Sequence, residues 1–426
     1  MQVSSGEHET NYTDSPPPGF RALLQLAWPL ILSSSFNTIQ ITVDRLFLSR
    51  IGPEVAAAAT GAAINFWLPY ILLFSVASYT ATFVSQYIGA KRPHRVGIAV
   101  WHGIYFSIAA GLLILVLIPF SLPIYQKLGH APDIALYESQ YFNCLCWYAL
   151  PGLLTATISA YFSGRNEGLV VVWISAIGTA VNVVLDYLLI LGRFGIPSFG
   201  ILGAGYATVA ATWVSALFGV CWMLRKKYRR EHQTARWLCW DKVLAWRFLR
   251  FGGPSGVQWM LDVSAFNAFI IIAGWFGAIQ FAATTLAITI NNFAFIPMIG
   301  VGQAVAVFVG RHLGEDRPDL AQRMFTRGMA VAVVYNGTLA MFYLFLPYTL
   351  TSFFKPDQDN GDWLTIMTTV RWLLVFVCIY ACFDALNIVL SFGLRGAGDT
   401  VFVSLVSLFL AWPILVLPSY LSYRYG

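Results

Sequence analysis

Eleven long apolar stretches constrain this chain more than any other feature: 22–48, 54–89, 96–121, 136–163, 169–192, 199–224, 247–274, 279–313, 322–350, 364–393 and 400–421. Each reaches the roughly 20 predominantly apolar residues that an α-helix needs to cross a bilayer. The second and eighth are long enough to project beyond the hydrocarbon or to bend. Composition agrees with this reading. Charged residues make up 11% of the chain, against roughly 25% in a soluble domain whose surface faces water. Aromatics reach 16%, with 15 Trp and 32 Phe, as expected where rings sit at membrane interfaces. The sequence predicts an all-α integral membrane protein.

The loops orient the chain, because basic residues concentrate on the cytoplasmic side. Lys91, Arg92, His94 and Arg95 follow the second stretch. Arg225, Lys226, Lys227, Arg229, Arg230, Arg236, Lys242, Arg247 and Arg250 follow the sixth, and Arg311, Arg317, Arg323 and Arg327 the eighth. One of the alternate loops, 355–362, is acidic. The N-terminus and the basic loops are therefore expected in the cytoplasm, in a multi-pass inner or plasma membrane protein. The net charge of +6 is spread along one membrane face, which argues against nucleic acid as a partner. Residues 1–19 are polar and Pro-rich, read as a disordered tail without a cleavable signal. Asn11 matches a glycosylation sequon by pattern only. The six cysteines suggest neither a disulfide framework nor a metal site.

Shifted by 225 positions, the chain matches itself. Pro29 meets Pro254, Gly52 meets Gly277, Thr60 meets Thr285, Gly89 meets Gly314, Arg92-Pro93 meets Arg317-Pro318 and Gly103 meets Gly328. At an offset of 230, Arg165 meets Arg395 and Gly168 meets Gly398. Six spans separate the repeats, so both units insert with the same orientation and form two parallel lobes with a cavity between them. The expected division is an N-lobe over 20–224, a basic linker over 225–246 and a C-lobe over 247–426. By this repeat the sixth span lacks a counterpart, so the sequence is read as ending one helix short.

Ionisable residues deep in a span are costly and mark functional candidates. Asp44, Asp186, Asp262 and Asp384 qualify. Asn182 shares a helix face with Asp186, and Thr208 could join them. Gln258 precedes Asp262 by one turn, and Tyr380 precedes Asp384 by one turn. A buried carboxylate can take up a proton or hold Na⁺, and either event biases a two-state structure whose states solvate the site differently. The structural alternatives are an Asp44–Arg45 ion pair and a packing node of Asp186 with Asn182. Pro29 and Pro254 sit within spans, as kinks or cavity hinges. Arg371 is expected to snorkel, and His102 and His312 to be solvated or packed.

Trp28-Pro29, Val43-Asp44-Arg45 and Ile51-Gly52 resemble the first span of multidrug and toxic compound extrusion (MATE) transporters. Gly253-Pro254-Ser255 with Asp262 resembles their seventh. Phe383-Asp384-Ala385 leading into Gly393-Leu394-Arg395-Gly396-Ala397-Gly398-Asp399-Thr400 resembles their tenth and the loop after it. The resemblance implies a two-lobed antiporter, twelve-helical as the family norm, that expels organic cations or other amphipathic compounds against inward Na⁺ or H⁺, with no further cofactor. It implies an N-lobe cation-coupling site of Asp44, Asn182, Asp186 and Thr208, and a C-lobe site of Asp262, Tyr380 and Asp384. Asp262 stands where many members carry Glu, and Gln40 where some carry Tyr. Pro29, Pro254, Gln40 and Gln258 are the cavity or hinge candidates. The expected partners are a small molecule and the bilayer, for a monomeric non-enzyme.

Rival readings are a lipid-linked oligosaccharide flippase of related architecture, an intramembrane enzyme, or a transporter inactive for want of its last helix. A flippase needs a strongly cationic cavity, where this chain places four acids. An enzyme needs a nucleophile and base or a metal cluster within the spans, and no such grouping is visible.

Overall fold

A computed structural model describes residues 19–195, 197–237, 240–354 and 362–425. The N-terminal tail, Cys239 and all but the last residue of the acidic 355–362 loop lie outside the described residues. Among those described there is no β-strand, and eleven helices are long and apolar enough to cross a membrane. They are α1 (Phe20–Ile51), α2 (Pro53–Gly89), α3 (Pro93–Lys127), α4 (Pro132–Gly164), α5 (Gly168–Leu189), α6 (Gly200–Met223), α7 (Lys242–Trp275), α8 (Ala278–Gly314), α9 (Pro318–Phe345), α10 (Trp363–Ala397) and α11 (Thr400–Tyr425). Their order matches the sequence expectation span for span.

Local chemistry sets the boundaries. Pro53, Pro93, Pro132 and Pro318 open their helices, where a missing N–H costs nothing and the fixed φ is already helical. Asp241 caps α7 by accepting from the N–H groups of Val243 and Leu244. Gly398, at φ 92°, ends α10 in the left-handed region, which glycine enters without a Cβ clash. Of the two longest spans, α2 is interrupted at Tyr79, while α8 runs unbroken through Pro297.

The cores reveal how the halves sit. At the end bearing the basic loops, one apolar core runs through both, with Leu23, Leu26, Val84 and Phe162 of the first half beside Met298, Val305, Phe308 and Val389 of the second. At the opposite end the cores are separate. Leu48, Phe66, Tyr70 and Leu153 belong to one, and Ala283, Ile290, Val370 and Leu374 to the other. The two lobes are thus joined at the end bearing the basic loops and individually packed at the other.

Glycines permit the joining. A Cβ on Gly89 would lie 2.0 Å from the carbonyl oxygen of Arg311, and one on Gly314 would lie 2.2 Å from that of Gln86. These contacts are reciprocal, since Gln86 and Arg311 are themselves equivalent under the repeat. Gly252 and Gly256 of α7 likewise meet Val76 and Leu72 of α2. Lipid supplies no hydrophobic drive between helices, so close approach of small residues carries the packing.

The linker is docked on the first lobe. Its short helix, Lys226–His232, sets His232 under Arg165 and within 3.2 Å of the Tyr161 hydroxyl. Trp101 Nε1 donates to the Thr234 carbonyl at 2.9 Å, Arg95 pairs with Asp241, and the Asp241 N–H donates to His102 Nε2 at 3.0 Å.

Candidate functional site

Three helices of the first lobe bring the four residues singled out there into one buried cluster. Asp44 comes from α1, Asn182 and Asp186 from α5, and Thr208 from α6, and all four are buried. The Thr208 hydroxyl donates to Asp44 Oδ2 at 3.4 Å. With its amide nitrogen turned toward the acids, Asn182 donates to Asp44 Oδ1 at 3.0 Å and to Asp186 Oδ2 at 3.1 Å. That orientation satisfies the amide, whereas the reverse sets its oxygen against two acceptors. The two carboxyl groups thus share one amide donor between them. Asp186 Oδ1 has no donor. Among the described residues Asp44 makes no salt bridge with Arg45, so that alternative does not hold.

The second lobe assembles a looser site. Asp262 of α7 and Asp384 and Tyr380 of α10 are within electrostatic reach of one another, with no direct hydrogen bond among the described contacts. Asp384 sits in a crevice with Asn291 and Asn336. The Asn336 amide is spent on the Ala332 carbonyl at 3.2 Å, while Asn291 Oδ1 is buried without a partner. Sequence reasoning passed over both asparagines, although an amide in an apolar span is the signal that could have found them.

The hinge candidates divide. Pro29 is buried in α1, against the position where Gly168 opens α5. Pro254 lies in α7, its carbonyl accepting from the Ser404 hydroxyl at 2.5 Å. Gln40 is half-buried one turn before Asp44. Gln258 is buried and committed: its Nε2 donates to Asp262 Oδ2 at 3.4 Å and its Oε1 accepts from Arg395 Nη2 at 2.8 Å. Asp262 has no cation near it in sequence, and the fold supplies one through Gln258.

One further expectation needs correction. Arg311, counted with a basic loop, is inside α8, buried, and 3.7 Å from Glu315. Arg165 and Arg395, matched at the offset of 230, both have enclosed side chains. Of the remaining residues, His102 and His312 are packed, with His312 Nδ1 2.9 Å from Glu315. Arg371 is exposed and donates to the Tyr348 hydroxyl at 3.1 Å.

Outside the spans, the linker anchor is strongly polarised. Burial, then the neighbouring Arg165 and Lys227 charges, push His232 down to about 3. Burial pushes Glu167 up, but Arg165, Lys227 and Tyr228 outweigh it and hold the carboxylate below its ordinary range. Among the described residues no group of three His, Cys, Asp or Glu side chains could hold a metal ion.

Known proteins resemble this chain along nearly its whole length. The family model MatE matches twice, over 29–188 and 254–421, and the two matches begin at equivalent prolines of the repeat. Multidrug resistance protein NorM of Burkholderia vietnamiensis is 26% identical over 398 residues, covering 92% of this chain and 84% of that protein. Probable multidrug resistance protein YoeA of Bacillus subtilis is 24% identical over 407 residues, covering 94% and 86%. The fold superposes on an outward-facing multidrug resistance MATE family transporter with a TM-score of 0.86 at 19% identity, covering 100% of this chain and 92% of that one. A MOP superfamily transporter from Pyrococcus furiosus gives 0.86 at 20% identity, with the same coverage.

Proposed function

The chain belongs to the MatE family, and from that premise we propose that it is a secondary antiporter exporting organic cations or other amphipathic small molecules in exchange for Na⁺ or H⁺. One observation carries the reading: two carboxyl groups, an amide and a hydroxyl from three helices meet in a buried cluster of the first lobe. Two buried acids that share one site are held with one proton at a lower cost than as two charges. Loss or gain of that proton, or its exchange for Na⁺, alters how the cluster draws α1 toward α5 and α6.

Each lobe also holds an oxygen without a donor, Asp186 Oδ1 in one and Asn291 Oδ1 in the other. A proton suits the first cluster, whose oxygens face one another. Na⁺ suits the second, where Asp384 and Asn291 share a crevice and Asp262 and Tyr380 lie within electrostatic reach of Asp384. The space between the lobes is the substrate path in this reading, with the joined end, by the excess of basic residues on the cytoplasmic side, facing the cytoplasm of an inner or plasma membrane. The chain works as a monomer in this reading, and its chemistry is transport rather than catalysis.

The test is efflux of cationic dyes from cells. Asp44→Asn and, separately, Asp384→Asn abolish efflux while expression and membrane insertion stay normal. Undiminished efflux in both variants removes the coupling role.

A further inference from the structure

The last turn of α10 reaches the first lobe through polar side chains. A helix end leaves its final carbonyls without intrahelical donors. One of them is filled from the other lobe, where Gln86 donates Nε2 to the Gly396 carbonyl at 3.1 Å, and the Arg395 carbonyl, which already accepts from the Gly398 N–H at 3.1 Å, also accepts from the Tyr79 hydroxyl at 2.9 Å. The same turn packs beside Gly310 and Ser85. Closure at the basic end is thus a capping interaction made across the lobes, and water replaces it when they part.

What holds that turn in place is the Arg395 side chain. Its guanidinium is buried, with the Trp259 and Phe392 rings 5.4 and 5.1 Å away. Its hydrogen bond runs to Gln258 at 2.8 Å, and the far side of the same amide reaches Asp262 at 3.4 Å. Arg395 Nε has no partner. A buried cation is costly to leave unpaired, so Gln258 is the arm that both orients the guanidinium and connects it to the acid. The repeat sharpens the contrast. Its counterpart Arg165 is also buried and stacked on aromatics, but it binds Glu167, Glu231 and the linker's His232.

We propose that Arg395 is a positioning residue that ties Asp262, through Gln258, to closure of the two lobes, by fixing the helix end whose carbonyls receive Tyr79 and Gln86. The idea rests on the two-lobed transporter reading but assigns a role to a residue that neither ion-coupling site contains. It makes the C-lobe acid and the inter-lobe seam parts of one connected structure.

The experiment reads the seam and not transport, so a chain that exported none of the dyes would still decide it. Exposed Arg92 and Arg317, equivalent under the repeat, are replaced by spin-labelled cysteines in an otherwise cysteine-free full-length chain in nanodiscs. Pulsed electron resonance then gives the inter-lobe distance distribution. The parent shows a dominant short distance. Arg395→Gln and Gln258→Leu shift the population to longer distance, whereas Gln258→Glu, which keeps the acceptor to Arg395, retains the short one. Asp262→Ala lengthens the distance in the parent and not in the Gln258→Glu background. If Arg395→Gln fails to fold, the two Gln258 variants carry the comparison, because a merely structural defect does not separate Leu from Glu. Equal distributions for Gln258→Leu and Gln258→Glu, or an unchanged short distance in Arg395→Gln, overturn the proposal.

Discussion

Asn182 is the residue on which the first-lobe cluster turns. Its amide stands between two carboxyl groups that otherwise face each other across a buried space. Replacing it with Ala leaves acceptors without their shared donor, a loss of about 1–3 kcal/mol per buried group. Asn182→Ala is therefore expected to lower thermal stability in detergent and to impair efflux together. Thr208→Val, which removes one long hydrogen bond of 3.4 Å, is expected to cost less by the same thermal measurement. Such residues were legible in the sequence because a charge inside an apolar span is costly and therefore marks itself. Gln258 and Arg395 were legible only as separate curiosities. They lie 137 positions apart, and which face of α10 turns toward α7 is fixed by packing that no local pattern encodes.

The elements that join the lobes make a different kind of prediction. Gly89 on α2 and Gly314 on α8 each meet a carbonyl oxygen of the opposite lobe at a distance no Cβ tolerates. Overpacking of this kind typically costs about 1–3 kcal/mol, and the cost falls only on the closed arrangement. Gly89→Ala and Gly314→Ala should each shift the spin-label distance across the basic end toward longer values, where a distance unchanged in both would show the contact to be soft. The linker helix offers a pH test. His232 stays neutral in the fold, being pushed down to about 3 by burial and by Arg165 and Lys227, while an unfolded chain protonates it near pH 6.5. Between those values the unfolded state binds the extra proton, so stability falls as pH drops from about 6.5 toward 3. His232→Gln is expected to flatten that part of the curve in thermal unfolding followed against pH. The helices themselves were readable from apolar length alone. Arg311 was misplaced because its helix continues past the point where hydrophobicity fades, and burial there depends on the facing lobe.

At the scale of the whole molecule, duplication explains most of what is seen. One unit, inserted twice in the same orientation, gives two lobes that share a core at one end and keep separate cores at the other. Each lobe carries acids away from bulk water, and the lobes touch through reciprocal glycine contacts that the repeat places in register. The duplication was visible in the sequence as matched Gly, Arg and Pro at one offset. The end at which the lobes join was not, since it depends on which set of inter-lobe contacts is made. The central claim is that neutralising these acids drives the lobes from one tilt to the other and so moves substrate. Uptake of a cationic dye into proteoliposomes, with Na⁺ and pH gradients imposed separately, tests it most directly. The account predicts that uptake requires at least one of the two gradients and disappears in Asp44→Asn and in Asp384→Asn. Uptake that proceeds equally without any gradient, or that survives both substitutions, contradicts it.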